Sequence, residues 1–258
     1  MAKIALVTGA SEGIGFELCK LLAQDGYFIV LTARNQHQLE RRAEELRKQS
    51  IETYVIVQDL SVPGACEKIM EQLAAQNLEI EVLINNAGFA NYGNFSENSL
   101  EAEIALLQVN IVALTKLTKL ILPSMIKNRS GKIMNLASMA AFVAGPQMAV
   151  YYASKAYVLS FSEALACELE GTGITVTVVC PGATQTEFQE RAGLGRSKLF
   201  SMVKPMDSNT VAKEGYRGMM HGETIVITGA MNKLMAFATK LTPRSLSTKL
   251  IKRIQAAR

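Results

Sequence analysis

Residues 4–15 read IALVTGASEGIG, an apolar run that passes directly into a glycine-rich turn. The apolar run predicts a buried strand at residues 4–7, and the apolar spacing that follows predicts a helix over residues 14–24. The glycines permit a tight turn, and the N-terminus of the helix offers free N–H groups to a pyrophosphate. A glycine-rich turn such as this GxxxGxG stretch can also be an ordinary connection between a strand and a helix. The stretch therefore predicts a strand, a turn and a helix, and leaves open whether the turn binds a ligand.

The same pattern of strand and helix recurs through the chain. Short runs rich in Val, Ile and Leu lie at residues 28–31, 53–57, 82–84, 132–136, 175–179 and 224–227. Stretches with helical apolar spacing separate them, at residues 38–49, 65–75, 103–127 and 152–170. Such alternation predicts parallel strands joined by right-handed crossovers. We therefore predict an α/β fold, a doubly wound, seven-stranded parallel sheet flanked by helices in a single domain.

The composition is that of a globular protein, with 258 residues of which 49% are hydrophobic and 19% charged. No unbroken apolar run reaches the ~20 residues that span a bilayer, and the first strand leaves no room for a signal peptide. The four cysteines lack metal-ligand spacing, so we interpret them as reduced core thiols in a cytoplasmic protein. His37 and His221 have no partner ligands nearby in sequence, and we expect no metal.

The positive charge is concentrated at the end of the sequence. The formal net charge is +4, yet seven basic residues and no acidic residue follow Glu223, so the rest of the chain has a net charge of −3. Nucleic-acid binding requires a cluster of basic residues on the surface of the folded domain. We therefore expect no nucleic-acid partner.

Polar residues follow the predicted strands and should lie together at one edge of the sheet, where doubly wound folds bind ligands. Arg34 follows the second strand, Asp59 the third, and residues 85–88, Asn-Asn-Ala-Gly, the fourth. A basic residue after the second strand accommodates the 2′-phosphate of NADP, whereas an acidic one binds the ribose of NAD. Arg34 thus indicates NADP(H), or else is an ordinary surface arginine. Asp59 and residues 85–88 are also common in plain turns.

A serine, a tyrosine and a lysine form the candidate chemical centre. Ser138 follows the fifth strand, and YYASK at residues 151–155 opens the next helix. Side chains at i and i+4 share a helix face, so Tyr151 and Lys155 can face one pocket; Tyr152, at i+3 from the lysine, can do so too. A tyrosine that moves a proton near neutral pH needs its phenolate stabilised by about 4 kcal/mol, which an adjacent ammonium would supply.

Taken together, these motifs resemble those of the short-chain dehydrogenase/reductase family. They are TGASEGIG at residues 8–15, NNAG at 85–88, Asn110, Ser138, YYASK at 151–155 and Pro181-Gly182. The resemblance implies a Rossmann-like fold and an oxidoreductase that moves a hydride and a proton between a carbonyl and an alcohol. It also implies a homodimer or homotetramer.

The resemblance assigns four catalytic residues. It makes Tyr151, rather than Tyr152, the general acid/base and Ser138 a hydrogen-bond partner of the substrate oxygen. Lys155 would hold the nicotinamide ribose and lower the pKa of the tyrosine, and Asn110 would position a water in a proton relay. The implied NADP(H)-binding residues are Gly9, Ser11, Glu12, Gly13, Ile14, Arg34, Asp59, Asn86, Gly88, Tyr151, Lys155, Pro181, Gly182, Thr184 and Thr186.

Two positions depart from the family pattern. Glu12 lies in the glycine turn where many NADP-using members have a basic residue, and Thr184 replaces the usual aliphatic residue. Arg34 would therefore carry most of the recognition of the 2′-phosphate. We expect an NADPH-dependent reductase of a ketone or aldehyde. The alternatives are an NADP-dependent alcohol dehydrogenase using the same site and a non-catalytic dinucleotide-binding protein.

The end of the chain is predicted to form a separate element. We expect a catalytic domain at residues 1–230, in which residues 186–209 form a substrate lid whose apolar side chains favour an apolar substrate. Residues 231–258 are predicted to form a basic amphipathic helical tail. Its apolar positions are Leu234, Phe237, Leu241, Leu246, Leu250 and Ile254, interrupted by Pro243. Such a tail packs on its own body or on a sister subunit, or it lies on an anionic membrane surface.

Overall fold

A parallel sheet forms the centre of the protein in the computed structural model, which describes residues 3–186 and 205–255. Its strands are β1 (Ile4–Thr8), β2 (Phe28–Ala33), β3 (Thr53–Val57), β4 (Val82–Asn85), β5 (Gly131–Leu136), β6 (Ile174–Cys180) and β9 (Ile225–Ile227). They lie in the order β3-β2-β1-β4-β5-β6-β9, all parallel. Two short strands, β7 (Thr184–Gln185) and β8 (Met206–Asp207), pair separately. All seven predicted runs are strands of the sheet, so the predicted fold class is confirmed.

Helices cover both faces of this sheet. They are α1 (Gly13–Gln24), α2 (Gln36–Arg47), α3 (Ala65–Ala75), α4 (Leu100–Leu107), α5 (Leu114–Asn128), α6 (Ala149–Glu168), α7 (Ser208–His221), α8 (Ala230–Leu241) and α9 (Arg244–Gln255). A wide π-type turn, Gln108–Ala113, joins α4 to α5, and a 3-10 turn, Met139–Phe142, follows β5. The right-handed crossovers of a doubly wound sheet place helices in this way.

Strand β1 explains why the sheet needs helices on both sides. Ala5 and Val7 pack against one helical layer, while Ile4 and Leu6 pack against the other. Successive side chains of a strand point to opposite faces, so a strand buried on both faces is apolar throughout. The continuous apolar run at the start of the chain is the sequence signature of this environment.

The crossover between β4 and β5 is the most apolar helical stretch. Among the described residues, Leu100–Asn128 is long and apolar enough to cross a membrane by length and composition alone, with a mean hydropathy of 1.6. In the structure Leu117, Ile121 and Met125 pack from this stretch onto the sheet. Contact with the sheet therefore accounts for this apolar face.

Helix α7 lies in a region where the sequence predicted no helix. Two of its residues are glycines, which have low helix propensity. A Cβ at Gly218 would overlap the side chain of Val226, and a Cβ at Gly215 would lie 3.1 Å from Val179. The glycines therefore let α7 approach β6 and β9 closely, and this tertiary requirement outweighs helix propensity. Most of the predicted substrate lid, residues 187–204, lies outside the described residues.

The four cysteines are all free, as expected, but one of them is not in the core. Cys19, Cys66 and Cys180 are buried, and burial raises the pKa of the Cys66 thiol to about 11 and that of Cys180 to about 12. Cys167 is exposed. The interpretation of all four as core thiols was therefore wrong for Cys167, which faces outward near the end of α6.

Candidate active site

The glycine turn after β1 is held open by contacts that only glycine allows. Gly9 has φ +65°, and a Cβ on Gly15 would overlap the carbonyl oxygen of Gly9. The Asn86 side-chain amide donates hydrogen bonds to the carbonyl oxygens of Thr8, at 2.9 Å, and Gly9, at 3.1 Å. Asn86 thus fixes the turn from the neighbouring strand, and Glu12, which precedes α1, makes no side-chain capping hydrogen bond.

Arg34 lies at the end of β2, on the same edge of the sheet as this turn. It is exposed, and among the described residues it takes part in no salt bridge. The next residue, Asn35, accepts a hydrogen bond from the backbone of Gln38 at 3.0 Å and begins α2. The Gln38 amide in turn donates to Glu12 at 3.4 Å. The Arg34 guanidinium is therefore available to an anionic ligand.

Sequence reasoning missed a second arginine that shapes the turn. Arg42 stacks over the Phe16 ring, with 4.5 Å between the guanidinium carbon and the ring centroid, and its Nε donates to the carbonyl oxygen of Ser11 at 3.2 Å. It also pairs with Glu45 at 3.0 Å. Because Arg42 lies in the middle of a charged helix, its sequence context gave no signal of this role.

The third strand contributes Asp59, whose carboxylate is engaged in a turn. Its Oδ1 accepts hydrogen bonds from the Ser61 backbone at 2.9 Å and the Ser61 hydroxyl at 2.7 Å. Asp59 still lines the cavity described below.

Ser138 and Tyr151 both line the site beyond the end of β5. The Ser138 hydroxyl accepts a hydrogen bond from the Ala140 backbone at 3.1 Å and donates one to the Pro181 carbonyl oxygen at 3.5 Å. Burial raises the pKa of Tyr151 to about 12, and hydrogen bonding by Ser138 opposes this rise. The tyrosine is therefore a neutral phenol at neutral pH.

Lys155 lies beside Tyr151 but its ammonium is bound elsewhere. Its Nζ donates to the Leu136 carbonyl oxygen at 2.7 Å and lies 5.8 Å from the Tyr151 ring centroid. Burial lowers the pKa of Lys155 to about 8. Burial of the phenol is the larger effect on the pKa of Tyr151, and a lowering of that pKa by Lys155 stays a prediction.

Asn110 is buried in the π-type turn that joins α4 to α5. Its Oδ1 accepts from the Phe89 backbone N–H at 3.1 Å, and its amide donates to the Phe89 carbonyl and to Ser154 Oγ, both at 3.0 Å. A Cβ on neighbouring Gly88 would lie 3.1 Å from Asn110 Oδ1 and 3.4 Å from Lys155 Nζ. Asn110 therefore ties the loop after β4 to α6, directly behind the lysine.

The loop after β6 closes the other side of the site. The Pro181 carbonyl accepts from the Met139 backbone at 2.8 Å, and the Thr184 hydroxyl donates to the Gly182 carbonyl at 3.1 Å. Thr186 reaches the glycine turn, since a Cβ on Gly13 would lie 2.9 Å from its methyl group. The first and last loops of the site are thus in contact.

One cavity of about 730 Å³ joins these loops. Every residue predicted to bind cofactor or act in catalysis lines it, except Asn110, which lies behind the wall. The tail, which the sequence did not connect to the site, also lines it. The cavity-lining residues of the tail are Asn232, Met235, Ala238, Thr239, Thr242, Ser247, Leu250, Ile251 and Ile254.

Gln255 anchors the end of α9 beside this cavity. Its side-chain amide donates to the Tyr152 hydroxyl at 2.6 Å, and its backbone carbonyl accepts from the Tyr92 hydroxyl at 2.6 Å. Ile251 packs into the cluster that contains Tyr151 and Tyr152. Helix α9 therefore packs on its own body, which was one of the three arrangements predicted for the tail.

The doubly wound sheet, the glycine turn and the tyrosine beside the serine and lysine define a class, the dinucleotide-binding oxidoreductases. The family model for short chain dehydrogenases matches residues 3–196. The chain belongs to the short-chain dehydrogenase/reductase family.

Relatives with named activities show the same membership. The chain is 32% identical over 253 residues to the ketoacyl reductase HetN of a Nostoc species, covering 95% of this chain and 86% of the relative. It is 35% identical over 219 residues to sulfoacetaldehyde reductase 2 of Chromohalobacter salexigens, covering 83% and 86%. A short chain dehydrogenase of Pseudocercospora fijiensis is 34% identical over 188 residues, 72% of this chain but 61% of that relative.

Solved structures of the family superpose over almost the whole chain. A short-chain dehydrogenase from Sphingobium yanoikuyae in complex with NADPH has a TM-score of 0.83 at 30% identity, covering 99% of this chain and 98% of its own. A 7β-hydroxysteroid dehydrogenase has a TM-score of 0.87 at 27% identity, covering 96% of each chain. At 99% coverage, the alignment with the Sphingobium yanoikuyae enzyme includes the two helices of the tail.

Proposed function

We propose that the protein is an NADPH-dependent reductase that transfers hydride to the carbonyl carbon of an apolar ketone or aldehyde, with Tyr151 as the proton donor. The observation that carries the proposal is the buried Tyr151 side chain, which lines the cavity together with Ser138 and Lys155. A phenol so placed can give a proton to an oxygen that becomes negatively charged.

The residues present fit a nicotinamide dinucleotide. The glycine turn leaves room for a pyrophosphate where a Cβ would collide with neighbouring backbone, and the N–H groups that begin α1 lie beside it. Arg34 would pair with the 2′-phosphate, with Asp59 near the adenine and the loop at residues 181–186 near the nicotinamide. When bound, NADPH supplies the hydride.

The other polar side chains have roles that follow from their contacts. Ser138 would donate its hydroxyl hydrogen to the substrate carbonyl oxygen, which orients the oxygen toward Tyr151. Lys155 would bind the nicotinamide ribose, with its position fixed by the Leu136 carbonyl. Asn110 would hold the loop after β4 against α6 and position a water behind the lysine.

The protonation state of Tyr151 favours reduction. With a pKa of about 12, the side chain is a proton donor at neutral pH. Alcohol oxidation would instead need the phenolate as a proton acceptor. The same site catalyses both directions, and the protonated phenol makes reduction the faster direction at neutral pH.

An apolar substrate is supported by the cavity wall opposite the nucleotide loops. Val143, Met148, Leu250, Ile251 and Ile254 line it. Sites built in this way bind ligands by burying apolar surface and orient them with a few polar groups. Here those polar groups would be Ser138 and Tyr151.

The remaining proposals concern assembly and organisation. We propose residues 1–230 as the catalytic domain, residues 231–258 as its tail, and a homodimer or homotetramer in the cytoplasm. Apolar side chains exposed on α5 and α6, among them Leu120 and Tyr157, support self-association through these helices.

A substrate screen tests the proposed function. Ketones, aldehydes and 3-oxoacyl thioesters are incubated with NADPH or NADH, and cofactor oxidation is followed for the wild type and for Tyr151→Phe. We expect oxidation of NADPH with apolar carbonyl compounds by the wild type only. Turnover by Tyr151→Phe at the wild-type rate would contradict the proposed mechanism, and a preference for NADH would contradict the role of Arg34.

A further inference from the structure

The two helices of the tail carry six exposed apolar side chains, which together we call the tail surface. Each is more than half exposed, from 54% to 73%. Its members are Met231, Leu234, Phe237, Leu241, Leu246 and Leu250. Large apolar side chains grouped on a solvent-exposed face mark an interaction site rather than an ordinary solvated surface.

Helix α8 is docked with its apolar side facing outward. At 3.6 residues per turn, Leu234, Phe237 and Leu241 share one face, whereas Asn232 and Ala236 lie on the other. Asn232 and Ala236 are the buried residues of the helix, and the Asn232 amide donates to the Thr228 carbonyl at 2.7 Å. An ordinary surface helix has the opposite orientation, with its apolar face toward the core.

The tail that carries this surface is rich in basic residues. No acidic residue follows Glu223, and the basic residues of the described tail are Lys233, Lys240, Arg244, Lys249, Lys252 and Arg253. In the part of the chain that the structure describes, none of the salt bridges involves any of them. These charges therefore have no anionic partner among the described residues.

We propose that the tail surface docks on an anionic lipid bilayer. Two cationic helices with exposed apolar side chains match both layers of such a surface, the negative headgroups and the acyl chains beneath them. A second copy of the tail would bring like charges together. Residues 187–204 also contain more basic than acidic residues, so charge does not favour this segment as the binding partner of the tail surface either.

The cavity adjoins the tail surface. Leu250 belongs to the tail surface and lines the cavity, and Met235, which lines it too, is 40% exposed. A docked protein could take an apolar substrate directly from the bilayer. This consequence rests on the proposed reductase activity, whereas docking itself does not.

Vesicle sedimentation tests the docking without any assay of activity. The full chain is mixed with vesicles of phosphatidylcholine alone or of phosphatidylcholine with phosphatidylglycerol. We compare the wild type, the double variant Leu234→Ser/Phe237→Ser, and Phe95→Ser, a matched control because Phe95 is 66% exposed outside the tail. Circular dichroism confirms that each variant is folded.

We expect the wild type and Phe95→Ser to sediment with the anionic vesicles and not with the neutral ones. The double variant should bind roughly tenfold more weakly, because binding scales with the apolar area inserted. High salt should also release the wild type. Failure of the wild type to sediment with anionic vesicles, or equal binding by the double variant, would overturn the proposal. A different outcome would be a wild-type dimer that binds no vesicles and that dissociates in the double variant only. That outcome would show that the tail surface binds a second copy of the chain instead of a bilayer.

Discussion

The Gln255 side-chain amide donates a hydrogen bond to the Tyr152 hydroxyl at 2.6 Å, in the buried contact between the last described residue and α6. This contact separates two tyrosines that sequence spacing leaves equivalent. Tyr152 is hydrogen-bonded to the tail, whereas Tyr151 lines the cavity with Ser138 and lies edge-on to Tyr152 at 6.1 Å between ring centroids. The arrangement supports a chemical role for Tyr151 and a positioning role for Tyr152.

The Gln255–Tyr152 contact should stabilise the docked tail and thereby the substrate cavity. We expect Gln255→Leu to lower the free energy of unfolding by about 1–2 kcal/mol, because the Tyr152 hydroxyl loses a buried partner. The KM for an apolar ketone should rise while kcat changes little, since the reacting groups are untouched. Thermal unfolding and steady-state kinetics measure the two effects.

A double-mutant cycle with Tyr152→Phe provides the control. The effects of Gln255→Leu and Tyr152→Phe should be less than additive, because each removes the same hydrogen bond. Fully additive losses would show that the contact does not stabilise the tail.

Arg34 should determine the preference for NADPH over NADH. Arg34→Ala removes a charge-assisted hydrogen bond to the 2′-phosphate, so the dissociation constant for NADPH should rise about 10- to 100-fold while that for NADH stays nearly constant. Titration by fluorescence measures both constants. Arg41→Ala is the matched control, because Arg41 is exposed on α2 and does not line the cavity. Equal losses for NADPH and NADH, or an equal effect of Arg41→Ala, would contradict the assignment.

The buried Lys155 should make the stability of the protein depend on pH. Its pKa is lowered from 10.5 to about 8, so below pH 8 the folded state carries the cost of a buried charge. As pH rises from 8 to 10.5 the folded state loses this proton before the unfolded state does, and the cost disappears. At pH 7, Lys155→Met should therefore be more stable than the wild type, by at most about 3 kcal/mol.

The measured quantity is the difference in unfolding free energy between Lys155→Met and the wild type. It should shrink as pH increases from 7 to about 10, since the lysine then becomes neutral in the wild type. This difference reports on Lys155 alone, because the buried thiols and tyrosines with raised pKa values are present in both proteins and contribute equally to both unfolding free energies. A difference that is constant with pH would show that Lys155 has an ordinary pKa.

The sheet could be predicted because buried parallel strands are apolar on both faces. Such runs are short, dense in Val, Ile and Leu, and bounded by turn residues, so all seven were found, with each end within two residues of its position in the structure. The edge of the sheet where the candidate site lies followed from topology alone, since the ends of parallel strands meet there.

The other features of the fold and site depend on tertiary contacts, which the spacing of apolar residues along the sequence does not reveal. The π-type turn that holds Asn110 lies inside a continuous apolar pattern, and α7 contains glycines chosen by packing against Val179 and Val226. Helical spacing predicted the tail helices, but neither their place over the cavity nor the outward direction of Phe237. The contact of Arg42 with the glycine turn had no sequence signal.

The central claim is that Tyr151 donates the proton, and the most direct test compares Tyr151→Phe with Tyr152→Phe. The turnover number for NADPH-dependent reduction of the best ketone is measured together with the dissociation constant of NADPH. We predict that Tyr151→Phe lowers kcat by about 10²- to 10⁴-fold with NADPH binding nearly unchanged, because only the proton donor is lost. Tyr152→Phe should retain kcat. A Tyr151→Phe variant with kcat near that of the wild type would contradict the account.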